Sequence, residues 1–455
     1  MRSTANPELT PGTRRFTWFR RGFLLLSVLL IVPSLSTTSA AATESAGEDA
    51  TVISDWNALA VTTLASDTTK LAPETVLYLG FVQAAVFDAV VGIDGRYQPY
   101  LFHQRAPKGS STRAAAVAAA HEVLVTYSPY ARAKLELAYG ASLDQIPDGM
   151  SKTHGVAFGI AAAENLIHSR VNDGRNALVA FTQPPAPGVW RPTPTAFTPM
   201  LDPWLGGVKP MLVRSANQFG PPPPPSLKSR TYTRDLAEVK AVGSATSTVR
   251  TPAQTSTALF FSGSAIIQYN ASLRDQMAVR HLDIVDAARM FAAVDMTSAD
   301  ALITVWHAKL HYGLWRPITA INLADTDGNP ATIADPTWVP LVVTPAYPEY
   351  PSGYNVLTAA FTGGLDHLFG RDCLAITLIS SVVPNVDRHY DSGRALRADV
   401  VNARVWLGFH FRTADIVSRD LGLRLTDWAL NHYFQPAHKG TKWPMSNSAP
   451  EWGHL

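Results

Sequence analysis

Residues 283–317 read DIVDAARMFAAVDMTSADALITVWHAKLHYGLWRP, and no other stretch says as much about architecture. Alanine and leucine dominate, and apolar side chains return every three or four residues, the period of a helix that buries one face. The pattern recurs over 72–93, 113–127, 151–171, 353–369 and 395–409, while alternating, strand-like runs are scarce. An all-α chain is expected, with Pro317 ending the long helix by restricting Arg316 to extended geometry.

The rest of the sequence sets the frame. At 455 residues, 46% hydrophobic and 16% charged, the chain can bury a large core, which excludes a disordered or fibrous protein. Arg14, Arg15, Arg20 and Arg21 precede an apolar run over 23–35, followed by small residues up to Ala42, so residues 1–42 read as an export signal. The run is too short to span a bilayer comfortably. Arg20-Arg21-Gly22-Phe23-Leu24 matches a twin-arginine signal, and a general secretory n-region also carries paired arginines. The expected location is extracellular or periplasmic, with no stable membrane span once the signal is removed. Residues 1–42 hold five arginines and one glutamate, so without them 33 bases face 35 acids and the formal charge moves from +2 to −2. Net charge therefore implies no nucleic-acid partner. Cys373 is the only cysteine, so no internal disulfide exists, and it reads as a small buried hydrophobe.

Prolines crowd residues 182–225, including the run 221–225, and mark an ordered wrap or a linker. The expected organisation is thus a signal at 1–42, an amino-terminal helical half with its Pro-rich wrap at 43–225, a carboxyl-terminal helical half at 226–440 and a tail at 441–455.

Three short blocks carry the chemistry: KLHYGLWRP at 309–317, PSGY at 351–354 and RVWLGFH at 404–410. Lys309 and Arg316 are seven residues apart, nearly two helical turns, and are expected to leave one face of one helix. Ser352 stands where a helix N-cap belongs and Gly353 lets the backbone come close, which makes the start of that helix a natural oxyanion seat. Arg404 can grip two oxygens with its fork. His410 can act as a nucleophile or a metal ligand, with Asp415 able to orient its ring. Taken singly, a basic stripe, a helix cap and a core histidine are ordinary features. Together they describe a pocket for a tetrahedral oxyanion.

The order K-x6-RP, PSG, R-x5-H resembles the vanadium-dependent haloperoxidases and the type 2 phosphatidic acid phosphatase superfamily that contains them. The likeness is sharpest from Trp306 to Asp415, and the phrases Phe87-Asp88-Ala89, Arg170-Val171-Asn172-Asp173-Gly174 and His410-Phe411-Arg412-Thr413 extend it over most of the chain beyond the signal. It implies helix bundles with the anion between them. It also implies vanadate as cofactor, held by Lys309, Arg316, Ser352, Gly353 and Arg404, with His410 as the metal ligand. Hydrogen peroxide would be the oxidant, a halide (bromide foremost) the substrate, and a small organic molecule the acceptor. An acid phosphatase cleaving a phosphate monoester through phospho-His410, without vanadium, is the alternative. A non-catalytic oxyanion-binding relative is the other.

Two departures from the family's pattern bear on turnover. The second block commonly ends in histidine, the acid–base group, and here ends in Tyr354. A phenol with its ordinary pKa near 10 can donate a proton but is a poor base at neutral pH, and losing acid–base help costs roughly 10²- to 10⁴-fold in rate. His311 and His389 are the available replacements. Asp415 stands one residue later than the family's aspartate, and Ala403 replaces the serine that commonly precedes the arginine. Asp325-Thr326-Asp327-Gly328-Asn329 lacks the glutamate that closes a calcium loop and reads as a turn.

Overall fold

The computed structural model describes residues 38–371 and 374–438. Cys373, the tail at 441–455 and nearly all of the expected signal lie outside them; of residues 1–42, only 38–42 appear, at the start of a helix. The helices are, in chain order, α1 (Thr38–Ser66), α2 (Ala72–Asp94), α3 (Thr112–Tyr127), α4 (Arg132–Asp144), α5 (Met150–Ser169), α6 (Arg230–Val242), α7 (Pro252–Phe260), α8 (Ala265–Val279), α9 (Ile284–Tyr312), α10 (Pro317–Asn322), α11 (Gly353–Phe369), α12 (Gly393–Trp406) and α13 (Arg412–His432). Strands β1 (Ile376–Ile379) and β2 (Asp387–Tyr390) form a small antiparallel pair with Ile376 opposite Tyr390. The chain is mostly helical, as the periodicity required.

At the centre, α2 packs along α9. Both are buried along nearly their whole length, as helices enclosed by other helices are. By length and composition α2 could cross a membrane, yet 94% of its most apolar window is buried inside this fold. Gly80 explains how close the two helices come: a Cβ there would stand 3.2 Å from Ala299 Cβ and 2.7 Å from Met211 Cε. On the other side of α9 lies α11, itself packed against α13, so α9 is shared by two helical layers.

The Pro-rich stretch is an ordered wrap. Its backbone docks just beyond the carboxyl end of α9: the Trp190 N–H donates to Gly313 O at 2.7 Å and the Trp315 N–H to Gly188 O at 2.9 Å. Farther along, the buried Asp300 carboxylate accepts three successive amides, from Met211, Leu212 and Val213, at 2.6 to 2.8 Å. A proline-rich strand cannot pair with itself, so helix side chains and loop carbonyls satisfy its amides instead.

One expectation about the long helix is corrected. Lys309 and Arg316 do not share it, because α9 ends at Tyr312 and Gly313 takes the left-handed conformation, φ +53°, that caps a helix. After this turn Arg316 is extended (φ −75°, ψ 156°) and serves as the N-cap residue of α10. The proline effect at Arg316 is as expected. The glycine three residues earlier is what separates the two cations.

Candidate functional site

Four segments converge: the end of α9 with its turn, the loop 344–352 leading into α11, the start of α11, and the turn joining α12 to α13. Lys309, Arg316, Ser352, Arg404 and His410 are all buried there. Lys309 Nζ, at the end of α9, donates to the carbonyls of Pro348 (2.6 Å), Glu349 (3.1 Å) and Pro351 (2.6 Å). It therefore ties the loop before α11 to the end of α9. Arg316 Nε donates to Tyr347 O at 2.8 Å and Nη1 to Phe409 O at 2.9 Å, which joins the same loop to the α12–α13 turn. The Tyr347 ring lies between the two cations, 5.0 Å from Lys309 Nζ and 4.7 Å from Arg316 Cζ.

Gly408, left-handed at φ +80°, turns the chain after α12 and delivers His410 into this cluster. Its Nδ1 is 2.9 Å from Glu349 Oε1, and that oxygen also accepts the Phe411 N–H at 2.9 Å. With Nδ1–H donating to the carboxylate, Nε2 keeps its lone pair, which faces Arg316 Nη1 at 3.3 Å. Burial, then Arg316, Lys309 and Arg404, hold the imidazole pKa well below its ordinary value. That direction favours the neutral imidazole, the form that can ligate. Burial pushes Glu349 up to about 7, against the pull of Arg316 and Lys309.

Asp415 does not orient His410. It sits in the first turn of α13, where Asn355 Nδ2 donates to its Oδ1 at 2.7 Å, and burial followed by the nearby Glu349 raises its pKa well above the ordinary range. Asn355 also approaches Ser352 Oγ at 3.3 Å, while the Ser352 N–H donates to Ser418 Oγ at 2.6 Å. Asp415 thus sets up the start of α11 rather than the histidine. Glu349 does the ring-holding work. Nothing in the spacing marked it, since it lies two residues before the PSGY block and meets His410 across 61 positions.

Ser352 is the N-cap residue of α11 and Gly353 its first residue, as expected. A Cβ on Gly353 would stand 3.2 Å from Trp306 Cζ3, so little more than a hydrogen fits there. Tyr354 follows, half-buried, with its hydroxyl donating to Gln268 Oε1 at 2.7 Å and the Arg404 guanidinium 4.6 Å above its ring. Burial raises its pKa beyond the ordinary phenol value, with Arg404 opposing. Neither proposed replacement reaches the cluster. His311 is exposed on α9, and His389 is exposed on β2 beside Asp387 and Thr377. Residues 325–329 form a hydrogen-bonded turn in which Asp327 accepts the Asn329 amide at 2.7 Å. Among the described residues, no group of three His, Cys, Asp or Glu side chains is placed to hold a cation.

The donor set suits an oxyanion. Arg404 Nη1 donates to Phe261 O at 2.8 Å, but Arg404 Nε and Arg316 Nη2 are buried with no acceptor. Buried guanidinium N–H groups without partners are costly, and a multivalent anion supplies what they lack. With Ser352 Oγ, the lone pair of His410 Nε2 and three cationic side chains, the cluster can bind a tetrahedral oxyanion and attach a metal-centred one through histidine.

The chain is similar to several known proteins. A family model described as the second helical-bundle domain of VCPO matches residues 289–439, which include every member of the cluster. A vanadium chloroperoxidase from Curvularia inaequalis is 26% identical over 272 residues, covering 44% of this chain. That match spans 43% of the curated relative's length. Among solved structures, a bacterial vanadium-dependent iodoperoxidase superposes with a TM-score of 0.71 at 21% identity, over 85% of this chain and 97% of that one. The holo form of a bacterial vanadium-dependent chloroperoxidase gives 0.64 at 19% identity, over 79% and 91%. These two likenesses establish the helical fold. With the domain match and the chloroperoxidase relative added, the chain is similar to the vanadium-dependent haloperoxidases, and its residues 289–439 match the second helical-bundle domain of VCPO.

Proposed function

We propose that this chain is an exported, vanadate-dependent haloperoxidase that uses hydrogen peroxide to oxidise a halide, bromide foremost, and passes the halogen to a small organic acceptor. One observation carries the reading: His410, with Nδ1 fixed by Glu349, presents Nε2 3.3 Å from Arg316 Nη1 in a buried cluster where Arg316 Nη2 and Arg404 Nε have no acceptor. Bound vanadate would supply a Lewis acid that polarises the oxidant without changing oxidation state.

The protein's part follows from its own groups. His410 would ligate through Nε2, and Glu349 keeps the ring in the tautomer that leaves this atom unprotonated. Arg316, Arg404 and Lys309 neutralise oxyanion charge in a site shielded from water, where each interaction gains strength. Ser352 Oγ and the Gly353 N–H would add hydrogen bonds. Tyr354, with a raised pKa and its hydroxyl turned to Gln268, is a poor acid–base group. Slow turnover is the consequence. Export rests on the arginines and apolar run within residues 1–42.

The test is to load purified protein with vanadate, add peroxide and bromide, and follow bromination of a diketone, with His410→Ala as control. In parallel, hydrolysis of p-nitrophenyl phosphate is measured without vanadium. Bromination lost in the variant supports the proposal. Vanadium-free hydrolysis through His410 would replace it with a phosphatase, and vanadate binding without either reaction would leave an oxyanion-binding protein.

A further inference from the structure

Beside the oxyanion cluster opens a cleft of about 440 Å³. Its inner end is formed by Gly353, Tyr354, Arg404 and Phe409, so it reaches the cluster directly. The walls come from the start of α2 (Pro73, Val76), the start of α8 (Ala265, Ile266), α9 (Leu302, Trp306) and the loop containing Val342 and Val343. Among the described residues, no acidic side chain lines it, and Arg404 is the only charged one that does. At the mouth, Leu71 and Val343 are 38% and 66% exposed.

Apart from Arg404 Nε, most of the lining's side-chain donors are already used. The Trp306 indole N–H donates to Leu201 O at 3.2 Å, the Tyr354 hydroxyl to Gln268 Oε1 at 2.7 Å, and Arg404 Nη1 to Phe261 O at 2.8 Å. Apart from the short segment 262–264, what remains facing the cleft is mainly aliphatic surface and the rings of Trp306, Tyr347, Tyr354 and Phe409, with the Arg404 guanidinium 4.6 Å and 4.8 Å from the last two rings. Such a surface offers few hydrogen bonds to a sugar or a phosphate ester. It suits a flat, electron-rich aromatic ring, which can stack on aromatic faces and sit near a cation. The volume is that of pockets that enclose small organic ligands.

We infer that this cleft binds a small, planar aromatic molecule as the organic acceptor, so that halogen is transferred to a ring held in the protein; this rests on the haloperoxidase reading above. Bromide gives two electrons to peroxide, whose O–O bond breaks, and a ring C–H becomes C–Br. The ring proton, one solvent proton and the two peroxide hydrogens leave in two waters. Arg404 and Phe409 link the cleft to the cluster. Acceptor and oxidant then meet at one end of it.

Indole is the probe. Its binding to the full chain is measured by calorimetry without vanadate, then its bromination is compared with that of a diketone that reacts with free hypobromite. Ala265→Trp fills the cleft, and Val343→Asp puts a charge at its exposed mouth without disturbing the core. Both should weaken indole binding roughly tenfold or more and slow indole bromination in step, with diketone bromination unchanged. No indole binding to the parent chain, or indole bromination that is the same in all three proteins, overturns the inference while leaving the haloperoxidase reading intact. Indole binding that both variants weaken, in a protein that oxidises no halide, keeps the aromatic site and removes the reaction reading.

Discussion

His410 Nδ1 and Glu349 Oε1 are 2.9 Å apart, both side chains wholly enclosed, and the carboxylate holds the imidazole by the nitrogen that faces away from Arg316. A group in this position governs which nitrogen is free to ligate. Glu349→Gln keeps an oxygen acceptor and the shape but removes the charge, so vanadate affinity should fall about tenfold, and Glu349→Ala should approach 100-fold, the range found when partners of metal-ligating histidines are removed. Vanadium NMR or equilibrium dialysis reads this without turnover. Equal affinity in parent and Glu349→Ala would show that the ring needs no such partner.

Lys309 is expected to matter for stability as much as for charge. Its ammonium serves three backbone carbonyls, those of Pro348, Glu349 and Pro351, in the loop that also supplies the histidine's partner. Lys309→Ala strands them in the interior, where each unsatisfied group costs about 1 to 3 kcal/mol. Thermal or urea unfolding should show a loss of several kcal/mol even without vanadate. A variant as stable as the parent would mean that water replaces the ammonium.

The limits of the sequence lie in what spacing can encode. Ser352 and Gly353 at a helix start, and Arg404 and His410 in register, were legible because those relations are local or belong to a family pattern. The pairing of His410 with Glu349 was not, because it depends on how the 344–352 loop lies across the α12–α13 turn. Asp415 looked right by proximity in sequence, yet α13 begins at Arg412 and its first turn carries Asp415 toward Asn355. Likewise, the seven residues between Lys309 and Arg316 suggested one helix face. Gly313 bends the chain between them, and the two cations grip the same loop from different segments.

Tyr354 offers a direct test of what limits turnover. Its phenol is held by Gln268 and its pKa lies above the ordinary value because of burial, so it contributes little proton transfer at neutral pH. Tyr354→Phe should therefore leave the bromination rate near that of the parent, at the loss of one hydrogen bond worth about 1 kcal/mol in stability. Tyr354→His should raise kcat by roughly 10²-fold or more, since positioned acid–base help is worth that much. A rate unchanged by histidine, in protein that still binds vanadate, would place the bottleneck elsewhere.

Far from the cluster, Asp295 on α9 should set part of the pH dependence of stability. It is fully buried, Asn270 Nδ2 donates to its Oδ1 at 3.1 Å, its Oδ2 has no partner, and burial raises its pKa to about 7. A carboxyl whose folded pKa exceeds its unfolded value near 4 favours the fold when protonated, so stability is greatest below pH 4 and declines as pH rises toward 7, by about 1.4 kcal/mol per unit. Asp88 and Asp300, raised by burial to about 6, give both parent and variant a shared background slope. Asp295→Asn removes only its own share. The variant's Tm relative to the parent should therefore be several degrees higher at pH 8 than at pH 5, measured at both pH values in the same ionic strength. A difference that does not change between the two would mean that Asp295 stays in one protonation state throughout this range.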